Sequence, residues 1–321
     1  MSEENNISNL SEDTGPGEVI VKSKEAILSR KYLLKGKTIG ISISESDNLS
    51  ELGYSVMHLK DVMIEVARYI VSLGGTIAYG GDMRQGGFTE LLFDLLAYYK
   101  ADDELRPNER FHSFLAWPLS LLVTPEKEAS LLHNVSFKKI TPPHDVKIED
   151  VTKFLEPISK ESQYVWARCL TKMREEMELV CDARIFVGGR NRAFKGKLPG
   201  ILEELLMAIE KKHPVFLIGA FGGITKDIIS TLDGQGTESF SLDHYMANPE
   251  YKEFVALYNS KHDDIKIDYQ RHFLLLQNYG FKALSEMNGL TEEENRRLTK
   301  TPHINEMIYL ILKGLTNRFS F

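Results

Sequence analysis

The chain has 321 residues, of which 42% are hydrophobic and 26% charged, with a formal net charge of −7 and two cysteines. This composition predicts a globular protein with a full core. The negative charge argues against a general nucleic-acid-binding surface, because phosphate backbones attract basic surfaces. Two cysteines, Cys169 and Cys181, imply no disulfide framework, and their spacing is not that of a zinc site. We expect both to be buried apolar side chains, and we expect neither a metal nor a required cofactor.

Residues 1–30 are rich in Ser, Asn, Glu and Gly and contain few apolar anchors, which predicts a disordered N-terminal tail. This stretch lacks the apolar core of a secretory signal, and no run in the chain approaches 18 consecutive apolar residues. We therefore expect a cytoplasmic location and no contact with a membrane.

From Lys37 onward, short β-branched runs alternate with segments of helical periodicity. The predicted strands cover 37–44, 76–79, 113–119, 135–143, 183–189 and 214–220, and the predicted helices cover 55–75, 88–99, 162–180, 199–212 and 222–232. This alternation predicts an α/β fold, a Rossmann-like, doubly wound and mostly parallel sheet with helices on both faces. The rest of 121–158 follows neither pattern, so whether it covers a site as a lid stays open.

The chain divides into a Rossmann-like domain at 31–240 and a helical C-terminal extension at 241–321. Residues after 240 lack glycine-ended strands and show apolar residues at helical spacing. That periodicity predicts packing against the sheet or against another subunit.

Ligands of doubly wound sheets bind beyond the carboxyl ends of the strands. The first strand ends in Ser42, Ser44 and Glu45, which supply hydroxyl groups and a carboxylate. The second ends in "YGGDMRQGGFTE", which offers Gly80, Gly81, Arg84, Gly86, Gly87 and Thr89. Because glycine permits close approach and a helix start offers free N–H groups, we expect a phosphate-binding loop here.

The third candidate loop is "GGRNRAFKGKLPG", between a predicted strand and the helix "ILEELL". It contributes Gly188, Gly189, Arg190, Arg192, Lys195, Lys197 and Gly200. The glycines free the backbone to meet phosphate, and the cations neutralise it. Simpler interpretations remain open, since paired glycines often form plain turns, basic residues often face solvent, and Ser42 and Ser44 often cap the next element.

In their order along the chain, these motifs resemble the SLOG superfamily. It includes the LOG-type phosphoribohydrolases, DprA-like proteins and nucleotide-sensing domains of bacterial conflict systems. The resemblance rests on "GISISES", on the Gly80 to Gly87 loop and on "VGGR…GKLPGILEELL". It implies a Rossmann-like domain that binds a nucleotide-derived small molecule, and a homo-oligomer.

The LOG-type catalytic pair is an arginine and a glutamate, and their counterparts here are Arg174 and Glu204. The chain departs from the LOG pattern because Ile201 replaces the motif's threonine and about ten residues separate the early glycines from Gly200. The longer basic loop favours a ligand with more phosphate, or a second ribose, than a nucleoside monophosphate.

Two functions follow from this resemblance. The first is a sensor that binds a nucleotide or nucleotide-sugar ligand, such as ADP-ribose or a cyclic nucleotide product. The alternative is a hydrolase or transferase of N-glycosidic bonds in nucleotides, such as a LOG-like phosphoribohydrolase or an NAD glycohydrolase. In the enzyme, Glu204 or Glu45 stabilises the positive charge that develops at the ribosyl centre, while Arg174 holds the phosphate. A scaffold with a vestigial pocket is a third possibility.

Overall fold

A computed structural model describes residues 32–81, 83–84, 86–97, 110–132, 135–237, 241–261 and 265–319. The predicted tail at 1–30 lies outside them. The strands are β1 (Thr38–Ser44), β2 (Thr76–Gly80), β3 (Phe111–Ala116), β4 (Ser136–Ile140), β5 (Ala183–Gly188) and β6 (Val215–Ile218). All six were predicted from the sequence, and only their ends differ by a few residues.

The helices along the described chain begin with α1 (Val56–Ser72), α2 (Phe88–Ala97), α3 (Pro125–Leu131), α4 (Lys160–Glu178), α5 (Gly200–Glu210) and α6 (Gly223–Leu232). The C-terminal part adds α7 (Leu242–Met246), α8 (Pro249–Lys261), α9 (Tyr269–Asn288), α10 (Glu292–Lys300) and α11 (Ile304–Phe319). The apolar periodicity of the sequence predicted the longer helices because each buries one face. α3 is short and was not predicted, and α7 is a short helix at the start of the predicted helical extension.

The sheet has the order β4-β3-β2-β1-β5-β6, and every strand pairing within the described residues is parallel. The prediction of a Rossmann-like parallel sheet is therefore confirmed. β1 lies between β2, which follows it in the chain, and β5, which arrives by a crossover from the far edge. The strand order reverses between β1 and β5, and in such folds this switch point is where ligands bind.

The two faces of β1 differ in side-chain size. Ile39, Ile41 and Ile43 point into one hydrophobic core, which they share with α1 and α2. Gly40 and Ser42 point to the opposite face, because successive side chains of a strand alternate. Small residues on that second face leave space beneath α4 and α5, and polar side chains fill it.

The helices after residue 241 pack onto the body of the sheet. Side chains of α10 and α11, including Leu298, Met307 and Ile311, belong to the same core as β1. Tyr258 of α8 and Tyr269 of α9 belong to a second core on the opposite face, together with Phe186 of β5. Both hydrophobic cores thus contain residues from before and after residue 240. The division of the chain into two domains at this residue stays a prediction.

Among the described residues, no helix is both long and apolar enough to cross a membrane. The same residues contain no group of three or more His, Cys, Asp or Glu side chains arranged to hold a metal ion. Cys169 and Cys181 are buried free thiols, as predicted, and burial raises the pKa of each to about 12.

Candidate functional site

A fully buried arginine organises the polar layer between the sheet and helices α4 and α5. Arg184 of β5 has an exposed fraction of 0%. Its guanidinium donates to Glu178 Oε2 at 2.6 Å, to Ser42 Oγ at 2.7 Å and to Glu204 Oε2. Ser42 Oγ in turn donates to Glu204 Oε2 at 2.6 Å. Glu204 is therefore held by two groups of the sheet itself.

A second arginine, Arg174 of α4, meets the first turn of α5. Its Nε donates to Glu204 Oε1 at 3.3 Å, and its Nη1 donates to Glu203. Glu203 also accepts from Thr171 Oγ1 at 2.5 Å and lies 3.5 Å from Lys197 Nζ. The arginine and glutamate that the family resemblance pairs are thus in contact in the structure.

Three carboxylates and three cations balance each other in this layer, and we call the set the buried charge cluster. Its charged members are Arg174, Glu178, Arg184, Lys197, Glu203 and Glu204. Burial raises the pKa of Glu203, but Arg174 and Lys197 outweigh it, so the net shift is downward. Burial lowers the pKa of Arg184, and Glu178, Cys181 and Glu204 more than restore it. Glu203 and Arg184 are therefore both charged at neutral pH.

The ends of β1 and β5 meet at the switch point. Ser44 pairs with Gly188, and the amide of Gly189 donates to Ser44 O at 2.9 Å. Gly188 has φ +67°, and a β-carbon there would lie 2.5 Å from Ser44 O, so only glycine fits this junction. Both predicted glycines are buried here. Glu45 lies 3.9 Å from Arg190 at the rim.

Side chains of the β1–α1 loop accept hydrogen bonds from backbone amides of the basic loop (190–197) and of the first residue of α6. Asp47 Oδ2 accepts from the amide of Asn191 at 2.9 Å and from that of Arg192 at 3.1 Å. Asn48 Oδ1 accepts from the amide of Gly223, the first residue of α6, at 3.1 Å. Asn191 Nδ2 also donates to Asp227 Oδ2 at 2.5 Å. The basic loop is thus anchored from two sides by carboxylates.

A cavity of about 530 Å³ lies between this basic loop and helices α7 and α8. The loop side supplies Asn191, Arg192, Phe194 and Lys195, and the helical side supplies His244, Tyr245, Asn248, Glu250, Tyr251 and Phe254. Ala193 also lines the cavity, and its φ of +53° is a backbone conformation uncommon for a residue with a β-carbon. We call this space the aromatic cavity.

Hydrogen bonds and ring contacts fix the aromatic wall of this cavity. Tyr251 Oη donates to Lys197 O at 2.7 Å and shares a hydrogen bond of 2.9 Å with Tyr269 Oη. Phe194 meets Tyr251 edge-on at a centroid distance of 5.3 Å. Burial raises the pKa of Tyr245, and Tyr251, Asp227 and Asp47 act in the same direction. Asp47 of the β1–α1 loop and Asp227 of α6 therefore lie close to this wall.

A second cavity of about 540 Å³ lies between α4, α5 and the start of α9. Lys197 and Glu203 of the buried charge cluster line it, and so does His272. Burial lowers the pKa of His272 to about 4, and the nearby Lys197 contributes to this shift. The imidazole is therefore neutral at physiological pH.

The loop after β2 takes a different form from the loop after β5. Gly80 packs against Met173, and Gly81 packs against Tyr79 and Thr89, so these residues serve close packing. Arg84 and Gly86 are exposed, and Gly86 donates its amide to Glu90 Oε2 at 2.5 Å. Residues 82 and 85 lie outside the described residues.

The structure brings together some of the predicted site residues and separates others. Ser42, Arg174 and Glu204 meet in the buried charge cluster, and Gly200 lies against the Arg174 guanidinium. Of the four basic loop residues, Arg192 and Lys195 line the aromatic cavity, Lys197 lines the second cavity, and Arg190 faces Glu45 at the rim. Arg174 and Glu204 line neither cavity.

Several residues of the site were not predicted. A sequence signal existed for Arg184, because a charged residue within the apolar strand "ARIFVGG" must find buried partners. Asp47 and Asn191 carried no distinctive pattern. Tyr245 and Tyr251 lie in the helical extension, whose periodicity indicates packing and gives no hint of a cavity.

The fold and the site together define a Rossmann-like α/β protein with glycine-rich loops at the switch point of a parallel sheet. A family model described as SLOG cluster2 matches residues 33–298 of the chain. The chain therefore belongs to the SLOG cluster2 family, which confirms the resemblance to the SLOG superfamily. Comparison with curated proteins gave no match.

Proposed function

We propose that this protein is a sensor whose aromatic cavity binds a nucleotide or nucleotide-sugar ligand, such as ADP-ribose or a cyclic nucleotide product. The observation that carries the proposal is the chemistry of the cavity wall, which combines Arg192 and Lys195 with Phe194 and Tyr251. Cations suit phosphate, and aromatic faces suit a base. A volume of about 530 Å³ falls within the usual range for small-molecule sites.

The position of the cavity also favours sensing. One wall is the loop after β5, next to the switch point, and the other is formed by α7 and α8. A ligand between them contacts both the sheet domain and the C-terminal helices. Its binding energy is then available to shift the arrangement of those helices, which is what a sensor requires.

N-glycosidic hydrolysis is the second candidate, and the contact between Arg174 and Glu204 favours it. Two observations argue against hydrolysis. Glu204 is 7% exposed and contacts Ser42 and two arginines. It also lines neither of the two described cavities. The aromatic cavity contains one carboxylate among its described lining residues, the exposed Glu250. Glycosidic chemistry needs a carboxylate held beside the ribose.

The test is ligand retention by the pure full-length protein. The protein is incubated with nucleoside monophosphates, cyclic nucleotides, NAD and ADP-ribose, passed through gel filtration, and analysed for retained compounds and free base by mass spectrometry. We expect one compound to be retained unchanged. Arg192→Ala combined with Lys195→Ala should weaken its binding at least about tenfold, as expected when charge-assisted phosphate contacts are lost.

The matched control is Lys300→Ala combined with Arg318→Ala, which removes the same charge from exposed positions on α10 and α11. It should leave binding unchanged. Free base released by wild type and lost in Glu204→Gln would instead establish the enzyme. Retention of none of the compounds would refute the sensor proposal.

Assembly into a homo-oligomer, implied by the family resemblance, belongs to the same proposal. Exposed apolar side chains at Leu179, Leu274 and Leu275 offer surface for such contacts. Light scattering coupled to gel filtration measures the mass directly, and the monomer mass of 36.5 kDa in all conditions would refute the oligomer.

A further inference from the structure

The basic loop already holds an anion that belongs to the protein. Asp47 Oδ2 accepts from two successive amides, those of Asn191 and Arg192, at 2.9 and 3.1 Å. Successive N–H groups that converge on one oxygen are the arrangement by which loops bind phosphate. In this protein a carboxylate from the β1–α1 loop takes that position.

The same two residues line the aromatic cavity. A ligand whose base or sugar lies against Phe194 and Tyr251 therefore has its phosphate within the region of the Asn191 and Arg192 amides. The side chains of Arg192 and Lys195 add positive charge on the same side. A phosphate would match this charge better than the single carboxylate does, because it carries more negative charge and more acceptor oxygens.

The neighbours of Asp47 show that its loop is tied to the rest of the switch point. Asn48 Oδ1 accepts from the amide of Gly223. Ser46 is 7% exposed, and its hydroxyl makes no hydrogen bond among the described residues, although a β-carbon at Gly188 would lie 2.9 Å from it. Displacing Asp47 therefore disturbs a segment that contacts both β5 and the start of α6.

We propose that Asp47 is an internal competitor for the ligand's phosphate, occupying the Asn191 and Arg192 amides until a phosphate-bearing ligand displaces it. This inference rests on the proposed function, since it concerns the same cavity. It gives the sensor two states of the β1–α1 loop, one with Asp47 on the amides and one with Asp47 released. The ligand shifts the population between these states by its differential affinity for them.

The first experiment measures binding of inorganic pyrophosphate and of ADP-ribose to the full chain by calorimetry. Asp47→Ala should bind both probes about tenfold tighter than wild type, because the amides no longer exchange one anion for another. Asp47→Asn keeps an acceptor oxygen for the amides but loses the charge, so its affinity should lie between the two. Glu51→Ala is the matched control, since Glu51 is an exposed acid of the same loop. It should resemble wild type.

Hydrogen exchange at the amides of Asn191 and Arg192 provides a readout that does not depend on the natural ligand. Asp47→Ala should exchange faster than wild type at these two amides, and pyrophosphate should restore their protection. Wild-type protection at the amides of β1 and β5 shows that the variant is folded, and faster exchange confined to Asn191 and Arg192 shows that the contact has been removed.

Equal or weaker binding by Asp47→Ala would overturn the competitor role, because the carboxylate would then support the loop. If wild type still retains a nucleotide, that result leaves the proposed function intact. If neither wild type nor variant binds pyrophosphate or ADP-ribose, the amide pair takes no phosphate and the inference fails. The proposed function fails separately, only when the wider screen of nucleotides also retains nothing.

Discussion

The side chain of Arg184 lies across the backbone of Gly40. A β-carbon at Gly40 would lie 2.5 Å from Arg184 Cδ, 2.7 Å from its Nε and 2.8 Å from Cys181 Sγ. The absence of a side chain on β1 thus makes room for a fully buried cation on β5, the neighbouring strand. Glycine is a poor strand former, so its presence in the centre of the sheet is explained by this contact.

Gly40→Ala should therefore destabilise the protein by about 3 kcal/mol, since overpacking displaces a side chain with buried ionic partners. Chemical denaturation with far-UV circular dichroism measures the free energy of unfolding. Gly236→Ala is the control, because nothing lies within 4 Å of a β-carbon at that position. It should change stability by less than about 0.5 kcal/mol. Equal effects of the two substitutions would contradict the packing of Arg184 on Gly40.

Arg184→Met should be more damaging, because it removes the fully buried cation that Glu178 and Glu204 share and leaves Glu204 with Arg174 at 3.3 Å. Removing one partner of a buried ion pair costs about 3–5 kcal/mol. Glu204→Gln in the same background should recover part of this loss, since it removes one of the two buried carboxylates that have lost Arg184 as a partner. A double-mutant cycle of unfolding free energies measures the coupling between Arg184 and Glu204. Strictly additive effects would show that the two side chains do not interact.

The contacts of Arg184 show why the fold was easier to predict than the site. Alternating strands and helices appear in the local sequence, because each element has to match its own hydrophobic period to a buried face. The partners of Arg184 lie 6, 20 and 142 residues away in the chain, at Glu178, Glu204 and Ser42. No local hydrophobic period in the sequence specifies contacts between residues at these sequence separations.

The aromatic cavity was beyond prediction for a related reason. The basic residues of its loop were predicted as ligand-binding, but their grouping depends on the loop's path. Asp47 anchors that path from a loop 144 residues earlier in the chain. Tyr245 and Tyr251 complete the wall from helices whose sequence reports only packing. A cavity formed by three distant segments leaves no pattern in any one of them.

His272 should make the protein less stable in mild acid. Burial lowers its folded-state pKa from 6.5 to about 4, so between these values the unfolded chain binds a proton that the folded chain does not. The contribution of neutral His272 to the free energy of unfolding is therefore fully present above about pH 6.5, and it is lost as the pH drops toward 4. Between pH 7.5 and 5.0 the loss due to His272 should be about 2 kcal/mol.

His272→Gln tests this prediction, because glutamine does not titrate. The variant should lose about 2 kcal/mol less than wild type between pH 7.5 and 5.0, measured by denaturation at both values. His303→Gln replaces an exposed histidine at the start of α11 and should retain the wild-type pH dependence. A pH profile of His272→Gln that overlays that of wild type would assign the acid loss to other groups.

Tyr251 should restrict the conformational freedom of the basic loop. Its hydroxyl donates to Lys197 O and meets the hydroxyl of Tyr269, which ties α8 and α9 to the segment before α5. Tyr251→Phe keeps the ring but leaves the partly buried Lys197 carbonyl without this donor, at a cost of about 1 kcal/mol. Amides of residues 191–197 should then exchange faster with solvent, which hydrogen-exchange mass spectrometry resolves. Tyr309→Phe removes an exposed hydroxyl and should change neither quantity. If the loop exchanges at the wild-type rate in Tyr251→Phe, its order comes from the Asp47 and Asp227 carboxylates alone.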